Sequence, residues 1–165
     1  MKNCSPVARF ILSAVTVLVV ERAGAAQHSV PFKGTLQGSF TATPVPPFPP
    51  QFVDVLLTAT GNATQLGGFT AVFPHRVELS NRIGAGTYTF TAANGDTLVA
   101  DVFGQATEVA PNVLRVVEMG TITGGTGRFA DASGEFVVER LLDQVNFTTI
   151  GRFQETVSVP RAGKR

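Results

Sequence analysis

From Val30 to Val159, apolar and polar side chains alternate in short runs that break at turn-forming residues. A period of two marks strands with one buried face. It predicts strands over Val30–Ala42, Phe52–Thr60, Gly68–Phe73 continuing weakly to Leu79, Gly86–Ala92, Thr97–Thr107, Val113–Thr123, Glu135–Leu142 and Phe147–Val159, eight in all. No window repeats apolar residues at helical spacing. The breaks are Gly61-Asn62, Asn81, Asn94-Gly95, Pro111-Asn112 and Asp143-Gln144, all residue types that favour turns.

Register follows from the same pattern. Asn94-Gly95 signals a hairpin, and a two-residue loop there sets Phe90 against Val99 and Tyr88 against Asp101. A loop centred on Phe129 sets Ile122 against Phe136, Gly120 against Val138, Glu118 against Arg140, and Val116 against Leu142. A Gln144-Val145 turn then sets Leu142 against Phe147, Val138 against Gly151, and Phe136 against Phe153. Three strands thus share one inward face, and a slip of one residue would turn that face outward. Short antiparallel strands in series expose edges, which closure removes. The expected fold is therefore all-β, a single eight-stranded antiparallel barrel, with a two-sheet sandwich as the alternative. Glycines within strands, at 34, 38, 104, 120 and 151, suit the bends of a small barrel. Such a barrel is filled by side chains or holds one small ligand.

Composition adds compartment. The first 26 residues have a basic start (Lys2, Arg9), an apolar run from Phe10 to Val20, and Ala23-Gly24-Ala25 at signal-peptidase spacing. That run is well short of the roughly 20 residues that span a bilayer. Residues 1–26 thus read as a cleaved signal peptide, residues 27–160 as the barrel domain and 161–165 as a tail. The expected location is secreted or periplasmic, without a stable membrane anchor. Removing Lys2, Arg9, Arg22 and Glu21 takes the formal charge from +1 to −1, and removing Cys4 leaves no cysteine. An exported chain of this kind folds without disulfides. Charged residues are 15% of the chain, against about 25% in average proteins. Lys and Arg do not cluster, so no nucleic-acid partner is indicated. The five prolines of TPVPPFPP, residues 43–50, read as a stiff extended connector.

Residues 125–130, GTGRFA, formally match a dinucleotide-binding fingerprint. That motif works only where a helix begins and receives the pyrophosphate. Here Gly134 and the strand-forming Phe136-Val137-Val138 follow instead. The stretch reads as a hairpin connection in which Gly124, Gly125 and Gly127 supply positive φ, with Gly134 beyond them, and Phe129 folds inward to plug one barrel end. The same stretch, GGTGRFADASG at 124–134, resembles the glycine-rich turn of the dirigent and allene oxide cyclase proteins. ATQLGGFT at 63–70 and AANGDTLVADVFG at 92–104 resemble uncharacterised secreted bacterial relatives of that barrel. The resemblance implies an eight-stranded antiparallel barrel, commonly trimeric, that guides or catalyses cyclisation and coupling of apolar small molecules. The matching residues belong to the turn and bring no catalytic residue with them.

Four polar residues are candidates for a ligand site. Glu118 and Arg140 interrupt apolar faces, either as a structural ion pair or as groups that polarise a ligand. Tyr88 and Asp101 form a second cross-strand candidate. A carboxylate in an apolar cavity can act as acid or base. His28 and His75 are far apart in sequence and the mature chain has no Cys, so no metal site of recognisable spacing is indicated, and no cofactor is expected. Asn62-Ala63-Thr64 and Asn146-Phe147-Thr148 are sequons that matter only in a glycosylating host. The expected function is an exported barrel that binds a small apolar molecule or a surface component. The alternatives are an isomerase- or cyclase-like enzyme acting on an unsaturated apolar substrate, and a structural protein with a filled barrel.

Overall fold

The computed structural model describes residues 27–160; the expected signal peptide (1–26) and tail (161–165) lie outside the described residues. Eight strands run in chain order: β1 Gln27–Val45, β2 Phe52–Ala63, β3 Gly67–Glu78, β4 Ile83–Ala92, β5 Thr97–Ala110, β6 Val113–Gly125, β7 Ser133–Asp143 and β8 Thr148–Pro160. Each pairs antiparallel with the next, and β1 returns to β8 from Gln27↔Pro160 to Ser39↔Thr148. The sheet is therefore a closed barrel rather than a sandwich, and every strand has two partners.

Burial alternates along the strands, as in β2 from Val55 to Ala59 and β6 from Val116 to Ile122. Inward residues fill one half of the barrel with rings. Phe32, Phe69, Phe90, Phe136 and Phe153 meet at centroid distances of 4.9–6.3 Å, several edge to face. Phe129 and Leu66, from the connections at that end, are buried against this core. Phe129 belongs to a 3₁₀ turn, Gly127–Phe129, which leads into β7 rather than a long helix. Gly124, Gly127 and Gly134 have φ of 133°, 55° and 136°; Gly125, expected to share that conformation, does not.

The shared inward face holds, but each predicted register is offset. Between β6 and β7, Gly120 faces Phe136, Val116 faces Arg140 and Glu118 faces Val138. Between β7 and β8, Val138 faces Phe153 and Arg140 faces Gly151. Both offsets are two residues and preserve the face. The second arises because the Asp143 carboxylate accepts from the N–H groups of Val145 and Asn146, so the connection spans residues 144–147.

The β4–β5 offset is one residue and changes the outcome. Ala92 N–H donates to Asp96 O, and Gly95 N–H to Ala92 O, with Gly95 at φ 87°. This is a three-residue loop with glycine in the left-handed position. Tyr88 consequently faces Ala100, and Asp101 faces Thr87. The expected Tyr88–Asp101 pair does not form.

Candidate functional site

The connections at 46–51, 79–82, 111–112 and 144–147 crown the other end of the barrel, and the Phe cluster does not reach it. A cavity of about 370 Å³ opens there, within the usual range for small-molecule sites. Its walls are mostly apolar, including Phe40, Val55, Val77, Leu114, Val116 and Leu142, while Glu118, Arg140 and His75 also line it.

Glu118 and Arg140 come from the even, inward positions of β6 and β7. The Arg140 guanidinium donates to Glu118 in fork geometry, Nε to Oε2 at 3.0 Å and Nη2 to Oε1 at 2.6 Å. Tyr88, inward on β4, donates its hydroxyl to Glu118 Oε2 at 3.4 Å. All three are at least 96% buried, with exposures of 4%, 2% and 0% in the order Glu118, Arg140, Tyr88. Arg140 Nη1 is buried without a hydrogen-bond partner among the described residues. Burial raises the Tyr88 pKa, and the nearby Glu118 charge adds to the effect, so Tyr88 stays a neutral phenol. Burial alone would lower the Arg140 pKa, but Glu118 overrides it and holds the guanidinium above its ordinary value.

Space for these polar groups comes from glycines on adjoining strands. A Cβ at Gly104 would lie 2.6 Å from Glu118 Cγ, and one at Gly151 would lie 2.6 Å from Arg140 Cβ. A Cβ at Gly86 would likewise lie 2.6 Å from His75 Cβ.

His75 is the site residue that sequence reasoning set aside. Its ring stacks on Phe73 at 4.1 Å and 13°, and Phe73 stacks on Tyr88 at 3.9 Å and 10°. Its Nδ1 lies 3.1 Å from Phe73 O. Burial lowers its pKa; the Phe73 carbonyl opposes this, Arg140 adds to the lowering, and the Glu118 charge works against it. The signal was present in the alternation Phe69, Ala71, Phe73, His75, Val77, but Pro74 made the strand look broken. Pro74 does lie inside β3, where the β3–β4 pairing skips from Val72↔Thr89 to His75↔Gly86. A residue without N–H is tolerated at such an interruption.

Asp101 is outside the site: it is exposed and accepts from Thr87 Oγ1 at 2.9 Å. His28 lies in β1, remote in sequence from His75. Among the described residues, no three His, Cys, Asp or Glu side chains converge to hold a metal ion. The glycine-rich connection lies at the opposite end of the barrel, where the Asp96 carboxylate accepts from Arg128 N–H and the Arg128 guanidinium lies 4.9 Å over the Phe129 ring. Phe129 itself is 2% exposed and packs into the core there.

Among solved structures, the chain is similar to the pterocarpan synthase dirigent protein, with a TM-score of 0.57 and 15% identity over 93% of this chain and all of that one. No family model and no curated protein matches the sequence. The likeness establishes a dirigent-like barrel fold.

Proposed function

We propose that this protein is an exported barrel that binds one small apolar molecule in its open half, with the Tyr88–Glu118–Arg140 network orienting that molecule's polar end. The supporting observation is the buried Arg140–Glu118 ion pair at a mostly apolar cavity, with Nη1 still lacking an acceptor. A buried ion pair adds little to stability, whereas few convergent polar groups in an apolar pocket are the usual form of a ligand site. The dirigent-like fold and the signal-like residues 1–26 support the same reading. An isomerase- or cyclase-like activity would use the same floor, with Glu118 and Arg140 polarising the substrate. The proposal includes a homotrimer, supported by the family resemblance and by apolar residues on the outer wall.

Native mass spectrometry of the protein purified from its own host tests the binding. The expected spectrum shows mass beyond the polypeptide that is lost on unfolding, and Arg140→Met is expected to lose it. A bare polypeptide mass, together with no uptake of added apolar probes, would refute the reading.

A further inference from the structure

The donor and acceptor state of His75 can be read from its surroundings. Phe73 O is a carbonyl and can only accept, so the hydrogen bond at 3.1 Å requires the proton on Nδ1. In the neutral ring Nε2 then keeps its lone pair. No hydrogen bond engages Nε2 among the described residues, and His75 lines the apolar cavity. Stacking on Phe73, at 4.1 Å and 13°, holds the ring plane. His75 thus brings to the cavity wall an acceptor, Nε2, that no hydrogen bond engages among the described residues.

We propose that His75 Nε2 is a specificity-determining acceptor that selects apolar ligands bearing a hydroxyl, alcohol or phenol, over hydrocarbons of the same shape. The inference rests on the cavity reading above and adds the ligand's chemical class. Burial keeps the ring neutral near pH 7. The groups facing it from the surrounding strands are few. β2 presents Val55 and β4 presents Gly86, while Tyr88, Glu118, Arg140 and Arg82 are the titratable or charged groups around the cavity. Arg140 and Glu118 are committed to each other, and Arg82 pairs with Glu108 at 3.2 Å.

The test uses 2-naphthol and naphthalene as probes in isothermal titration calorimetry with the full barrel. The quantity read is the ratio of their dissociation constants, in wild type and in His75→Phe, which preserves the ring stack. One hydrogen bond predicts that the hydroxyl preference of wild type exceeds that of the variant by about tenfold. An unchanged ratio with both probes bound overturns the role of His75 and leaves the cavity reading standing. Failure of both probes to bind wild type overturns both, and binding of naphthalene alone overturns the role of His75. Should His75→Phe not fold, the ¹⁵N shift of Nε2 in wild type decides: it moves on adding 2-naphthol but not naphthalene, and no movement overturns the proposal.

Discussion

At the residue scale, the buried pair is the sharpest case. Removing one partner of a buried ion pair strands the other charge and typically costs about 3–5 kcal/mol. Glu118→Ala and Arg140→Ala are each expected to lose that order of stability in urea unfolding. The double variant should lose clearly less than their sum, because the fork couples the two residues directly. Additive losses would show that the contact has no energetic weight. His75 gives a separate pH signature. Its folded-state pKa lies below the unfolded value near 6.5, so the unfolded chain takes up a proton first on acidification. The contribution to stability is complete above about pH 6.5 and is lost as pH falls from there through the lowered pKa. Urea midpoints between pH 8 and 5 should fall more steeply for wild type than for His75→Phe. Asp54, Glu139 and Asp143, lowered by Arg76, by Arg115 and Arg152, and by Asn146 respectively, act in a more acidic window and do not obscure the comparison. Of these site residues, Glu118 and Arg140 were legible as polar breaks in apolar faces. The adjacent proline hid His75, and the miscounted loop misplaced Asp101.

At the element scale, alternation shows which residues face inward, whereas turn chemistry sets which residues are opposite each other. The β6–β7 and β7–β8 offsets of two residues kept the paired side chains on their face, except Phe147, which falls in the connection before β8 and is 50% exposed. The β4–β5 offset of one exchanged faces for Asp101, since side chains have period two. A two-residue and a three-residue Asn-Gly loop are close alternatives in sequence, and hydrogen bonds among Ala92, Gly95 and Asp96 choose between them. Strand glycines were legible as bends. Their role beneath large side chains of the next strand depends on register and was not. That role makes a prediction. Gly151→Ala places a methyl 2.6 Å from Arg140 Cβ and 2.8 Å from Glu139 O, an overpacking expected to cost about 1–3 kcal/mol. Gly68→Ala, with only Asn62 Oδ1 at 3.7 Å, is expected to be neutral or slightly stabilising. Equal thermal midpoints for the two variants would contradict the assigned register.

At the scale of the whole molecule, the count of eight strands and the absence of helix period made the barrel legible. Its closing seam, β1 against β8, joins residues from opposite ends of the chain and leaves no local trace in the sequence. The outer wall raises the question of assembly. Register aligns Ala85, Phe103, Met119 and Val137 as one row across β4 to β7. Phe103 and Met119 are 55% and 59% exposed, and Val117 beside them is 39% exposed. Contiguous apolar surface of this kind marks interaction sites more often than bare wall. The flanking row, Asp101, Thr121 and Glu135, is polar, which suits the rim of an interface. If the row is the seam of the proposed homotrimer, wild type should sediment as a trimer at micromolar concentration. Met119→Glu, which places a charge at the row's centre, should sediment as a monomer with unchanged far-ultraviolet circular dichroism. Its ligand affinity should also be unchanged, because Met119 points out of the barrel while the cavity lies within it. A monomeric wild type would remove the trimer, and a Met119→Glu that stays trimeric would place the seam elsewhere on the wall.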